Sequence, residues 1–325
     1  MGGAWTAGVI RAKTLVSRSL GAPAASSLAS NATLDDALRA LCATPYRRYV
    51  HRESALAEAQ HEVSATLLWH MRVLAGWLPR TGGLLLRPLA AGFEIANVET
   101  RLRHLRGAPD GRGARAGAAP ELPGPAMSQE PYRLGSLDTA WRRLEHAGSP
   151  AEVRALLAAS PWGDPGDDTA WAVAAYLRTA AAARVARTVR PARRWAEGRT
   201  ALLVARTRYV DDRPLPEPAR RQVALLLGPS AAGAARYVDF RNSLPRSARW
   251  ALDGVDDVRD LWRAEARWWS VVESDGTAML RAVRYGPVPV VGAVALLSVD
   301  AWRTRAALEA AARGGAGRGA FDAMD

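Results

Sequence analysis

Apolar residues recur along the chain at steps of three and four. Leu38, Leu41, Cys42 and Tyr46 fall on one face of a helical wheel, as do Leu67, Leu68, Met71, Leu74 and Ala75, and again Val153, Leu156 and Leu157 with Ser160. A period near 3.6 predicts amphipathic helices, whereas half-buried strands alternate at period two. Val288 to Val294 is the one run that reads as a strand in isolation, and the helical pattern around it argues for helix. Long β-branched runs are scarce. The predicted fold class is all-α.

Punctuation divides the pattern. Residues 107–131 are rich in Gly, Pro and Ala and have no apolar period, so they read as a linker or surface loop. They separate a first helical subdomain, 1–106, from a second, 132–250. Arg213 to Pro218 (RPLPEP) is a shorter break, and the glycine-rich end, 314–325, reads as a flexible tail.

The first two subdomains carry a repeat. Asp36 to Tyr46 reads DALRALCATPY and Glu152 to Trp162 reads EVRALLAASPW, 116 residues further on. Both are helices stopped by a proline, with the preceding hydroxyl residue biased to extended backbone and an aromatic closing the end. A looser pair sets Glu94, Asn97 and Arg101 beside Asp239, Asn242 and Arg246: acid, amide and arginine at relative positions 0, +3 and +7 along one predicted helix face. Such recurrence points to duplicated subdomains.

Charge and composition then remove several functions. The 325 residues carry a net charge of +12 and a pI near 10.9, and the basic side is almost wholly arginine, Lys13 being the one lysine. A phosphate-binding P-loop needs Gly-Lys-Ser/Thr, and the chain has no Gly-Lys pair. Schiff-base chemistry is confined to Lys13. Cys42 is the only cysteine, so no intrachain disulfide or thiolate zinc cluster forms; a reducing, cytoplasmic setting fits. The five histidines, at 51, 61, 70, 104 and 146, lack a zincin spacing, and no GxSxG elbow exists. No apolar run reaches the ~18 residues that a membrane span needs. Arg11, Lys13 and Arg18 precede the first acid, Asp35, which reads as an ordinary amphipathic helix rather than a transit peptide.

Two further readings concern the charges. Asp256, Asp257 and Asp260 form DDxxD, the pattern with which class I terpenoid synthases hold magnesium and a diphosphate; Arg259 and Arg263 beside them point instead to a solvated, neutralised helix start. The basic balance invites a helical nucleic-acid binder, densest at Arg190 to Arg208, but the arginines run the whole length and interleave with acids.

Four stretches resemble the C-type central-stalk subunits of the prokaryotic V/A-type rotary ATPases, the counterparts of the d-type subunits of eukaryotic V-ATPases. They are Ala7 to Leu15 (AGVIRAKTL), Leu34 to Tyr46, Phe93 to Arg103 (FEIANVETRLR) and Arg284 to Arg305 (RYGPVPVVGAVALLSVDAWRTR). Their order, the duplication and the total length agree with that family. Gly8, Val288 and the Trp302-Arg303 pair depart from its pattern, although Asp300 and Arg305 remain.

The resemblance implies three similar helical subdomains in a funnel-like pseudo-threefold arrangement, the third abbreviated to 251–313. It implies a non-catalytic rotor component on the cytoplasmic face of the membrane, a socket between the central-stalk shaft and the membrane ring that passes torque for proton or sodium transport. No catalytic residue, cofactor, metal or nucleic acid is expected. Glu94, Asn97, Arg101, Asp239, Asn242, Arg246, Asp300 and Arg305 are then expected to tie neighbouring helices together within each subdomain.

Overall fold

The computed structural model describes residues 3–106, 130–283 and 285–314. Most of the expected linker, 107–129, and the tail from 315 lie outside the described residues. The described chain is helical, with no strand among the described residues. Val288 to Val294 lies in a helix, as its flanking pattern predicted.

The chain packs as two compact units. The first holds the described residues of 1–86, 120–137 and 269–325, and the second those of 87–119 and 138–268. These bounds do not coincide with the expected boundaries near 106, 132 and 250. Two of the crossings between units, at 86–87 and 268–269, fall inside continuous helices, which carry no linker composition.

The first unit contains α1 (Gly3–Val16), α2 (Gly21–Ala29), α3 (Leu34–Leu41), a 3-10 turn (Pro45–Arg48) and α4 (Leu56–Trp77). At its centre is α16 (Pro287–Ala312), which packs against α1, α2, α3 and α4. An alanine- and valine-rich helix that is apolar nearly all round must be covered on most faces. Val290, Val291, Leu297, Ala301 and Leu308 of α16 are accordingly buried, as are Val9, Leu38, Leu68 and Met71 on the helices packed against it.

The second unit begins with the end of α5 (Arg80–Leu89) and α6 (Ala91–Leu105). The short α7 (Trp141–Leu144), α8 (Pro150–Ala158), α9 (Ala170–Thr188) and α10 (Arg193–Ala205) follow. α10 runs on into a π-helical turn at Arg206–Val210. Then come α11 (Glu217–Leu227), α12 (Pro229–Gly233), α13 (Tyr237–Ser243), α14 (Arg246–Arg249) and the first part of α15 (Leu261–Leu280). α9 packs on α6, α10 and α11. Leu202, Val223, Phe240, Leu252 and Leu261 fill the interior around α10.

The sequence repeat is also a structural one. α3 opens at Thr33, whose hydroxyl accepts the Asp36 N–H, and α8 opens at Ser149, whose hydroxyl accepts the Glu152 N–H, each at 3.2 Å. A hydroxyl N-cap satisfies a backbone donor that the helix cannot. At the other end Thr44 donates to the Leu41 carbonyl (2.6 Å) and accepts from the Tyr46 N–H (3.3 Å). Ser160 likewise donates to the Leu157 carbonyl (2.7 Å) and accepts from the Trp162 N–H (3.1 Å). Proline terminates the helix and the hydroxyl turns the chain, so the aromatic ring is aimed inward twice over.

One helix crossing depends on missing side chains. A Cβ added to Gly292 of α16 would lie 2.6 Å from the Gly276 carbonyl oxygen and 2.8 Å from the Leu280 nitrogen, both backbone atoms of α15. Gly292→Ala is expected to cost about 1–3 kcal/mol of overpacking against about 1 kcal/mol of gained helix propensity. The net result is a lowered denaturation midpoint; a midpoint at or above wild type would show that the crossing is not tight.

Candidate functional site

The buried polar groups concentrate on the central helices. Glu94 (1% exposed) sits on α6, Glu197 (1%) on α10 and Asp300 (7%) on α16. A carboxylate is taken out of water only where donors replace its hydration.

In the first unit Asp300 accepts three hydrogen bonds. The Gly21 N–H donates to Oδ1 (2.7 Å), and the Leu20 N–H (3.2 Å) and Tyr46 hydroxyl (2.8 Å) donate to Oδ2. Gly21 has φ +76°, a conformation that glycine adopts without a Cβ penalty, and it opens α2 where the two N–H groups meet the carboxylate. Burial raises the Asp300 carboxyl above its usual 3.8, against the pull of these donors. Burial, and then Asp300 itself, hold the Tyr46 phenol well above its ordinary value, so it remains a donor.

The second unit builds the same anchor. The Ala140 N–H donates to Glu94 Oε1 (2.7 Å), the Thr139 N–H to Oε2 (3.0 Å) and the Trp162 indole N–H to Oε1 (3.1 Å). Here too burial raises the carboxyl above its usual value. Each anchor therefore joins one acid on a central helix, two successive backbone N–H groups at the entry of a short helix, and the polar edge of the aromatic that ends the repeated motif. In the second unit the acid's helix precedes its repeat in the chain, and in the first unit it follows.

The other expected residues take varied places. Asn97 is buried beside Glu94 on α6. Arg101 donates from Nε (3.0 Å) and Nη2 (2.6 Å) to the Ala147 carbonyl, tying α6 to the turn between α7 and α8. Arg305 is buried, and burial pushes its guanidinium down to about 10. Its carbonyl accepts from Gln60 of α4 (3.4 Å).

Asp239, Asn242 and Arg246 do not share one helix face. Pro245 ends α13, Leu244 is extended (ψ 138°), and Arg246 opens α14. All three residues are exposed, and Asp239 pairs locally with Arg236 at 2.8 Å.

Glu197 is an acid that the local sequence pattern did not single out. From 94 to 197 and from 197 to 300 is 103 residues each, and that spacing was the available signal. Its surroundings differ from the two full anchors: Arg193 of the same helix donates to Oε1 at 2.7 Å. Next to it Gly198 leaves room for the Trp250 ring, which a Cβ there would approach to 2.8 Å. Two partly buried arginine–carboxylate pairs also left no sign in the sequence. Arg206 donates from Nε and Nη2 to Glu265 (2.9 and 2.7 Å), and Arg303 pairs with Glu273.

The DDxxD acids are spent individually. Asp256 pairs with Arg241, Asp257 caps the turn before α15 and pairs with Arg259 (2.8 Å), and Asp260 faces Arg263 (3.7 Å). No group of three or more His, Cys, Asp or Glu among the described residues gathers as metal ligands do. No helix among them is long and apolar enough to cross a membrane. Many arginines are likewise occupied, by carboxylates or by carbonyls such as those of Asp168 and Ala232.

Each of the two anchor acids accepts three hydrogen bonds from the chain itself. Both anchors tie a central helix to a short helix and to the aromatic of the repeated motif. Compared with known protein families and with curated proteins, the chain matches none.

Proposed function

We propose that the chain is a non-catalytic central-stalk component of a V/A-type ATPase or ATP synthase, a peripheral socket on the cytoplasmic face that couples the shaft to the membrane ring. The observation that carries this reading is the carboxylate anchor built twice on the repeated motif, by Asp300 with Tyr46 and by Glu94 with Trp162. Those acids lie in two of the stretches that resemble the family. A torque-transmitting part must resist shear, and side-chain ties between short helices and a central helix, set in a close-packed interior, supply that stiffness. The 103-residue spacing of Glu94, Glu197 and Asp300 supports three related subdomains, in keeping with the funnel expected of that family.

The test is affinity purification of the tagged chain from cells that express the whole rotary complex. Shaft and ring proteins are expected in the eluate at comparable amounts. A chain recovered alone and monomeric from such cells would sink the proposal.

A further inference from the structure

Three helix segments of the first unit meet at Leu78. A Cβ added to Gly8 of α1 would collide with the Leu78 side chain and lie 3.1 Å from the Trp77 carbonyl oxygen, and one added to Gly82 of α5 would lie 2.5 Å from Leu78 Cβ. Both helices therefore close on the chain where α4 ends. Within two residues of these contacts three large apolar side chains face solvent: Ile10 on α1 (55% exposed), Trp77 at the end of α4 (54%) and Leu84 on α5 (61%). Exposed Lys13 lies one turn from Ile10, and exposed Arg80 one turn from Leu84, each on the same outer helix face. Large apolar groups gathered on a surface mark a place of contact. The segments that build this one hold no acid: residues 1–34 and 63–93 contain no Asp or Glu. The acids of α4, Glu58 and Glu62, lie in its first half. Those of α16, which also packs on α1, are Asp300 in its anchor and Glu309 paired with Arg313.

We propose that this junction of α1, α4 and α5 docks on the surface of an anionic lipid bilayer, with Ile10, Trp77 and Leu84 entering the headgroup–acyl boundary and Lys13 and Arg80 meeting lipid phosphates. Aliphatic and indole side chains set beside cations, with no acid among them, are the chemistry of an interfacial membrane face. A nucleic acid answers the cations but gives isoleucine and leucine no apolar counterpart. A protein interface pairs charges of both signs, and this surface offers one sign. An anionic leaflet supplies both halves: negative potential for the cations and hydrocarbon for the apolar groups. No described helix is long and apolar enough to cross a membrane, so the contact is with one leaflet. It belongs to the chain alone and needs no membrane ring, which takes it beyond the coupling role proposed above.

The experiment is co-sedimentation of the purified full-length protein with vesicles of phosphatidylcholine alone and of phosphatidylcholine mixed with phosphatidylglycerol. Binding is expected to the mixed vesicles and to be at least about tenfold weaker to phosphatidylcholine. Each cation near an anionic surface is worth about a fivefold change in binding, so Lys13→Gln/Arg80→Gln should weaken it by about 25-fold. Trp77→Ser/Leu84→Ser should weaken it by about tenfold or more. Leu225→Ser, at an equally apolar and more exposed site on α11 of the second unit (78%), should bind as wild type does. Circular dichroism melts check folding, and the Lys13→Gln/Arg80→Gln pair, which alters only exposed side chains, decides the matter if the apolar pair melts early. Equal binding to the two kinds of vesicle, no binding to either, or unchanged binding in Lys13→Gln/Arg80→Gln overturns the proposal. A lipid-free dimer in analytical ultracentrifugation that Trp77→Ser/Leu84→Ser dissolves would assign the surface to a second copy of the chain and overturn it as well.

Discussion

Asp300→Ala is expected to lower the unfolding free energy of the first unit by about 2–4 kcal/mol. Three donors, the N–H groups of Leu20 and Gly21 and the Tyr46 hydroxyl, lose their common acceptor. A buried donor without a partner costs about 1–3 kcal/mol, and release of a desolvated charge offsets part of the sum. Tyr46→Phe removes a single donor and should cost about 0.5–1.5 kcal/mol. The double variant distinguishes a shared network from two separate defects. With Asp300 already gone, Tyr46→Phe should add almost nothing, because its partner is absent. Urea denaturation of the four proteins measures this cycle, and purely additive losses would mean that the anchor is not a unit.

The second large effect is in pH. His70 titrates at 6.5 when unfolded and at about 4 in the fold. Between these values the unfolded chain binds the proton and the native chain does not, so stability falls as pH falls from 6.5 towards 4. At about 1.4 kcal/mol per unit the loss is on the order of 3 kcal/mol across that window. Asp300 and Glu94 act in the opposite sense. Their raised values mean that the native state takes up protons first, so their contribution grows as pH falls below those values. Denaturation midpoints from pH 7.5 to 4.5 should therefore drop steeply in wild type and more gently in His70→Gln. Parallel curves would remove His70 from the acid response.

The helical class and the repeat were legible because they rest on local chemistry: spacing of leucines, a hydroxyl cap, a proline stop. Glu94 and Asp300 were legible as members of a pattern. Their partners were not, since Leu20 and Gly21 lie 280 and 279 residues from Asp300 and nothing local marks a backbone N–H as a donor to so distant an acid. Asp239 matched the pattern better than Glu197 did, yet Pro245 breaks its helix and Glu197 occupies a buried position. Spacing along the whole chain carried more information there than the identity of the neighbouring amide and arginine. The two-unit division was hidden in part because two of its crossings, at 86–87 and 268–269, fall within helices rather than in Gly/Pro-rich segments. Gly276 and Gly292 gave no sign of facing one another, for a glycine in a helical pattern reveals a close approach only when its partner is known.

The position of α16 has a consequence for synthesis. About 210 residues separate Trp77, the end of α4, from Pro287, where α16 starts. At roughly 5–20 residues per second, α1 to α4 wait on the order of 10–40 s after leaving the ribosome for the helix that fills their core. Through that interval Val9, Leu38, Leu68 and Met71 lack their α16 cover, while the second unit, whose last residue is Trp268, already has all of its own elements. Order of emergence and order of completion are thus reversed: the part of the chain made first is the part finished last.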